Sequence, residues 1–154
     1  MKNNSLSGGC QCGAIRFSTQ KLGRASICHC RMCQKAFGGF YAALVSADEY
    51  SWTRGKPTWF RSSNQVERGF CEKCGTPLAY KFDGGIELAI ASFDKPELLP
   101  PEIQICTKHR VEYVDELAKI EAFEYGADKK VDAIFNNVHS YQHPDHDTEE
   151  WPPK

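Results

Sequence analysis

The sequence predicts a mainly β, antiparallel fold with a short helical extension at its C-terminal end. Between residues 10 and 106, short segments rich in aromatic and β-branched residues alternate with turn signals. The pair Gly84-Gly85 separates the segments PLAYKF and IELAIASF, which indicates a β-hairpin. Apolar residues then recur at helical spacing, which predicts an amphipathic helix over about residues 127–139: Val131, Ile134, Phe135 and Val138.

The elements follow in order along the chain. Residues 1–9 are small and polar, and we expect a flexible N-terminus. GAIRFST, FGGFYAALVS and PTWFRSS are typical of strands, and Ser46 with Glu49 forms a possible capping box that predicts a helical turn over residues 47–50. Residues 111–124 are ambiguous, because VEYV could extend a strand and DELAKIEAF could begin a helix. We therefore expect a zinc-binding β domain over residues 10–124, and a helix with a polar, extended or disordered tail over residues 125–154.

Composition excludes several classes of function. The chain has 154 residues and a formal net charge of −1, so it lacks the basic excess of a nucleic-acid-binding protein. It shows neither the apolar core of a secretory signal nor a run of about 18 apolar residues that could span a membrane. We expect a cytoplasmic protein with no membrane partner. Because thiols stay reduced in the cytoplasm, its clustered cysteines favour metal binding over disulfides.

Two pairs of cysteines have the spacing of zinc ligands. Cys10 and Cys12 project from the same side of an extended segment. Cys71 and Cys74, followed by Gly75, form a zinc knuckle, in which a tight turn directs both sulfurs to one point. Together the pairs predict a closed four-thiolate site with a structural role.

A further three cysteines lie within six residues: Cys28, Cys30 and Cys33. They predict a second zinc site with one open position. His29 could be a fourth ligand, but an extended chain directs it away from its neighbours, so a polar supporting role is the better interpretation. The remaining cysteine, Cys106, is typical of a small core residue, with a ligand role as the alternative.

The open position indicates the chemistry of the second site. Three thiolates form a soft ligand set that favours a further sulfur ligand. A thiol bound to zinc is deprotonated, and the resulting thiolate can add to a small electrophile such as an aldehyde. We therefore expect a small-molecule thiol and an aldehyde as partners.

The blocks GGCQCGAIRF, CHCRMCQKAFGG, ERGFCEKCGTPL and IASFDKPE, in this order, closely resemble the glutathione-dependent formaldehyde-activating enzyme family, in the superfamily of centromere protein V. The resemblance covers about residues 8–110. It implies a tent-shaped, all-β fold with two Zn²⁺ ions per chain, structural at Cys10, Cys12, Cys71 and Cys74 and catalytic at Cys28, Cys30 and Cys33. It also implies a carbon–sulfur lyase that adds glutathione to formaldehyde and gives S-hydroxymethylglutathione. Relatives often carry a His-Ile pair where this chain has Gln104-Ile105.

Some residues have two interpretations. Basic residues near the clusters could bind the carboxylates of glutathione or could be solvated surface charges: Arg31, Lys35 and Arg68. Three histidines near the C-terminus could form another metal site, although an exposed polar tail is favoured: His139, His143 and His146. Asp94 is typical of a turn. For the whole chain, the alternatives to an enzyme are a non-catalytic, zinc-stabilised binding module and a thiol/zinc redox sensor.

Overall fold

The computed structural model describes residues 5–152 and confirms the mainly β, antiparallel class. Eight strands form one sheet: β1 (Leu6–Gly9), β2 (Arg16–Cys28), β3 (Ala42–Arg54), β4 (Thr58–Arg61), β5 (Val66–Phe70), β6 (Pro77–Phe82), β7 (Gly85–Ala89) and β8 (Ile103–Ile105). Their order is β1-β2-β3-β7-β6-β5-β4. The short strand β8 pairs in parallel with the end of β2, and every other pairing is antiparallel.

Two α-helices accompany the sheet: α1 (Arg31–Phe37) and α2 (Lys129–Asn136). Helix α2 lies within the predicted range of 127–139, and Asp128 caps its N-terminus by accepting hydrogen bonds from two backbone N–H groups. Short 3₁₀ helices cover Ile90–Ser92, Pro96–Leu98, Thr107–His109 and Glu112–Lys119. None of the helices in residues 5–152 is both long and apolar enough to cross a bilayer.

The two faces of the sheet have different roles. One face carries the hydrophobic core, in which Ala25, Val45, Leu88 and Ala79 stand side by side across β2, β3, β7 and β6. Because successive residues of a strand point to opposite faces, their neighbours Ser46, Glu87 and Tyr80 lie on the other face. This second face, termed here the cavity face, holds a smaller cluster around Cys33, Ala42 and Leu44.

Two local expectations were wrong, and one segment was open to two interpretations. Residues 47–50 continue β3 and do not form a helical turn, because their alternating pairing with β2 outweighs the capping signal. Leu6–Gly9 forms β1 and pairs with β2, which differs from the expected loose segment over residues 1–9; residues 1–4 lie outside the described residues. The ambiguous segment 111–124 contains the 3₁₀ helix Glu112–Lys119. The boundaries proposed at residues 10 and 124 stay predictions.

The C-terminal segment folds back onto the start of the sheet. The backbone N–H of His143 donates to the carbonyl of Gln11 at 2.8 Å. Arg16, which is almost fully buried, forms ion pairs with Asp94 at 2.6 Å and with Asp147 at 2.7 Å. Asp94 therefore has a role beyond the turn that its sequence indicates, because it neutralises a buried guanidinium.

Candidate functional site

The first two cysteine pairs lie in two turns that the fold brings together. Cys10 and Cys12 follow β1, and Cys71 and Cys74 follow β5. In each turn a glycine N–H donates to the carbonyl of the first cysteine: Gly13 to Cys10 at 2.9 Å, and Gly75 to Cys71 at 2.8 Å. Both glycines have positive φ angles, of 73° and 76°, a conformation that glycine adopts without strain.

The four sulfurs of these turns fit a zinc ion. Their Sγ atoms all lie within 4.8 Å of one another, and all are free thiols. The Cys10–Cys12 and Cys12–Cys71 sulfur separations are 3.6 and 3.8 Å. A tetrahedral site with Zn–S bonds of about 2.3 Å requires sulfurs about 3.8 Å apart. The cluster could therefore hold a metal ion in a closed site.

The pKa values of the thiols differ within this cluster. Burial is the largest influence on Cys10 and raises the pKa of its thiol to about 12. Burial also acts on Cys74, but hydrogen bonds from the side chain and backbone of Thr76 outweigh it and lower the pKa of Cys74 to about 6. A divalent cation would offset the repulsion among four thiolates and favour the deprotonated form of all of them.

The other three cysteines gather where β2 ends and α1 begins. Cys28 is the last residue of β2, Cys30 caps α1, and Cys33 lies in the first turn of the helix. The Sγ of Cys30 accepts a hydrogen bond from the N–H of Cys33 at 3.4 Å. All three Sγ atoms lie within 4.8 Å of one another, and no other His, Cys, Asp or Glu of the described residues joins the group. This three-cysteine cluster could hold a metal ion through three sulfurs.

Burial and charge act in opposite directions on these thiols. Burial raises the pKa of Cys28 and of Cys33, although the guanidinium of Arg68 partly offsets the effect at Cys33. At Cys30 burial is again the largest influence, but the hydrogen bond from the Cys33 backbone and bonds with the other two thiols outweigh it and lower the pKa. Cys30 is therefore the first of the three to become a thiolate.

His29 lies between two of these cysteines but points elsewhere. It is 1% exposed, and its Nε2 forms a hydrogen bond of 2.8 Å with Oε1 of Gln104 on β8. Its backbone N–H donates to the carbonyl of Ile105 at 3.0 Å. The structure thus favours the polar, supporting interpretation, in which His29 fixes the chain between Cys28 and Cys30.

A cavity of about 890 Å³ borders the three-cysteine cluster on the cavity face of the sheet. This volume lies within the range of small-molecule sites. Apolar side chains form much of its wall: Met32, Leu44, Val66, Phe82 and Ile105. Three titratable residues of the central strands also line it: Arg68, Tyr80 and Glu87.

Of the three basic residues considered from the sequence, Arg68 alone lines this cavity. It is 7% exposed; its Nη2 donates to Sγ of Cys33 at 3.4 Å and its Nε donates to Oγ of Ser62 at 3.0 Å. Its guanidinium lies 5.0 Å from the centre of the Tyr80 ring. Arg31 and Lys35 are exposed on α1, in agreement with solvated surface charges.

Sequence reasoning missed Tyr80 and Glu87. Burial, together with the charge of Cys33, raises the pKa of Tyr80, and burial raises the pKa of Glu87. The alternation in PLAYKF and IELAIASF carried a signal, since a tyrosine and a glutamate occupy positions opposite to the apolar face. Which cavity they line depends on strand order, which the alternation does not specify.

Two other expectations were wrong. Cys106 is an exposed residue at the edge of the cavity with φ of 56°, whereas a core position was expected, and its sulfur lies outside the three-cysteine cluster. His143 is 3% exposed and packs at 5.1 Å, between ring centres, against Trp151, whereas an exposed tail was expected. Within residues 5–152, no histidine joins a metal-binding group.

Comparisons with known proteins agree with this arrangement. A family model described as glutathione-dependent formaldehyde-activating enzyme matches residues 5–109, which contain all seven clustered cysteines. The crystal structure of a Rhodobacter sphaeroides protein, a structural genomics target, superposes with a TM-score of 0.52 at 20% identity. The match covers 64% of this chain and 98% of that protein, and it supports the fold. No curated protein matches the chain.

Proposed function

Because the chain belongs to the glutathione-dependent formaldehyde-activating enzyme family, we propose that it is a zinc-dependent carbon–sulfur lyase. Its reaction would be the addition of glutathione to formaldehyde, or to a related aldehyde, and the reverse cleavage. Cys10, Cys12, Cys71 and Cys74 would hold a structural zinc ion. The three-cysteine cluster would hold the catalytic one.

The observation that carries this proposal is the position of the three-cysteine cluster beside the 890 Å³ cavity. Four cysteines complete a tetrahedral set, whereas three leave one position for an outside ligand. When bound, a zinc ion supplies positive charge that lowers the pKa of a thiol occupying that position. The cavity gives such a thiol room, and its size suits a thiol and an aldehyde together.

The chain's own residues would prepare the site for this reaction. Arg68 holds Cys33 through the Nη2–Sγ contact and brings one positive charge beside the sulfurs. The ring of Tyr80 lies over the guanidinium and helps to fix it. Apolar walls, including Leu44 and Val66, reduce the water around the reacting atoms and so strengthen charge interactions there.

The proposal is tested by titrating glutathione into protein in which cobalt replaces zinc. We expect a saturable change in the thiolate-to-cobalt absorption band, and no change with S-methylglutathione, which has no free thiol. The variant Cys30→Ser should keep the four-cysteine site and lose the glutathione response. In parallel, exchange NMR should show faster interconversion of formaldehyde and S-hydroxymethylglutathione with the zinc-loaded protein. An unchanged cobalt spectrum together with an unchanged exchange rate would refute the proposed enzyme and favour a non-catalytic binding module.

A further inference from the structure

Four polar side chains form a row across the cavity face. Arg68 on β5 lies opposite Tyr80 on β6, Tyr80 lies opposite Glu87 on β7, and Glu87 lies opposite Ser46 on β3. Directly opposed residues in antiparallel strands have Cβ atoms about 4.5–5.5 Å apart and point to the same face. The row therefore begins at the three-cysteine cluster, which Arg68 contacts, and extends along the cavity to Glu87.

Glu87 is the half-buried acid of this row. The salt bridges among residues 5–152 do not include it. The groups that face it are the hydroxyl of Ser46 from β3, the phenol of Tyr80 from β6 and the more remote charge of Arg24 from β2. Burial outweighs the hydrogen bond from Ser46 and the charge of Arg24, so its pKa is raised. A carboxyl group in this environment gains and loses a proton closer to neutral pH than an exposed one.

The proposed reaction requires a group that can both take and return a proton. The S–H bond of the thiol breaks, a C–S bond forms, and the carbonyl oxygen becomes a hydroxyl. The proton lost by sulfur equals the proton gained by oxygen, so one carboxyl group can accept the first and supply the second without a further reactant.

Other residues around the cavity suit this task less well. Arg68 is held against Sγ of Cys33, and the raised pKa of Tyr80 keeps its phenol protonated. The three clustered cysteines are already used as candidate metal ligands. Asp83 also lines the cavity, but it is exposed in the turn between β6 and β7. No histidine among residues 5–152 lines the cavity.

We propose that Glu87 is the catalytic acid–base residue of this site, which accepts the thiol proton and returns it to the oxygen of the adduct. The assignment rests on the proposed function and adds to it the residue that moves the proton.

The test compares Glu87→Gln with the unaltered, zinc-loaded full chain in the exchange assay with glutathione and formaldehyde. We expect kcat to fall about 100-fold, because loss of a general acid–base group costs 10²–10⁴-fold. The zinc content and the cobalt response to glutathione should not change. The fall in rate on the acid side of the pH profile should disappear. Glu49→Gln is the matched control, because Glu49 is an exposed glutamate on β3 outside the lining of the cavity, and it should retain the full rate.

The outcomes separate this assignment from the proposed function. If Glu87→Gln keeps the rate of the unaltered protein, the assignment is wrong and the enzyme proposal stands. If the variant raises KM for glutathione and leaves kcat unchanged, Glu87 binds the substrate ammonium group, and the assignment is again wrong. If the unaltered protein does not accelerate the exchange of formaldehyde with glutathione, both the proposed function and the assignment of Glu87 are refuted. Glu87→Asp controls for a folding defect, since it keeps the carboxyl group and should recover part of the rate lost in Glu87→Gln. Equal losses of rate in Glu87→Gln and Glu87→Asp would overturn the assignment.

Discussion

Replacing Arg68 with methionine should weaken zinc binding at the three-cysteine cluster. Three thiolates and one zinc ion carry one net negative charge, or about a third of a charge on each sulfur. The guanidinium lies 3.4 Å from Sγ of Cys33. Two unit charges at that distance interact by about 5 kcal/mol at an effective dielectric constant of 20, so a third of a charge gives about 1.6 kcal/mol. This energy corresponds to a loss of about 15-fold in affinity.

The assay is competition with a chromogenic chelator, which reads the two proposed zinc sites as separate steps. We expect Arg68→Met to weaken zinc binding at the three-cysteine cluster and to leave zinc binding at the four-cysteine cluster unchanged. Arg68→Lys keeps the charge and should recover most of the affinity. Arg61→Met is the matched control, because Arg61 lies on the neighbouring strand β4 and is exposed. An affinity within about twofold of the unaltered protein in Arg68→Met would refute the electrostatic reasoning, since a partner that mattered should cost 10–100-fold.

The remaining predictions concern stability. Cys71→Ser should remove one zinc ion and lower Tm by about 10 °C, because its cluster joins turns 59 residues apart. Cys30→Ser should lower Tm by only about 3 °C. Calorimetry with metal analysis tests this difference, and an equal fall in Tm in the two variants would contradict it. Asp94→Asn should cost about 3–5 kcal/mol in urea unfolding, because it removes the buried partner of the Arg16 guanidinium and leaves only the exposed Asp147. Asp48→Asn at an exposed ion pair should cost less than about 1 kcal/mol. Burial opposes ionisation of Asp94, but its guanidinium and hydroxyl donors hold its pKa below the ordinary value. The contribution of Asp94 to the free energy of unfolding is therefore present above about pH 4, the ordinary aspartate pKa, and is lost as the pH falls through the lower folded pKa. Asp94→Asn should lack this acid-dependent loss of stability. If the unaltered protein and the variant lose stability in parallel as the pH falls, the role given to Asp94 is wrong.

The cysteine groups could be predicted from the sequence because each half-site is local. The glycines after Cys12 and Cys74 close turns that bring paired sulfurs together, and such turns depend on few residues. The hairpin at Gly84 and helix α2 were predictable for the same reason. The sequence also predicted that the two cysteine pairs meet, because four thiols fill one tetrahedral site.

The wall of the cavity could not be predicted, because it depends on which strands become neighbours. Arg68, Tyr80 and Glu87 come from three strands, and only the order β5-β6-β7 places them side by side. Helix α1 was missed because a seven-residue helix shows barely two turns of periodicity. The apparent cap at Ser46 misled because strand pairing over Ala42–Arg54 outweighs a local hydrogen bond.

In the proposed enzyme, the four-cysteine cluster would serve stability and the three-cysteine cluster would serve chemistry. The four-cysteine cluster joins segments far apart in sequence, so changes there act on the folding of the sheet. The three-cysteine cluster spans only the junction of β2 and α1, and a cross-link within so short a segment constrains the chain little. Burying its thiolates costs free energy. That cost is offset by the positive charge of Arg68 and by the ligand that binds in the cavity. Substitutions on the cavity face, such as those at Tyr80 and Glu87, should therefore alter ligand binding and turnover more than they alter the free energy of unfolding.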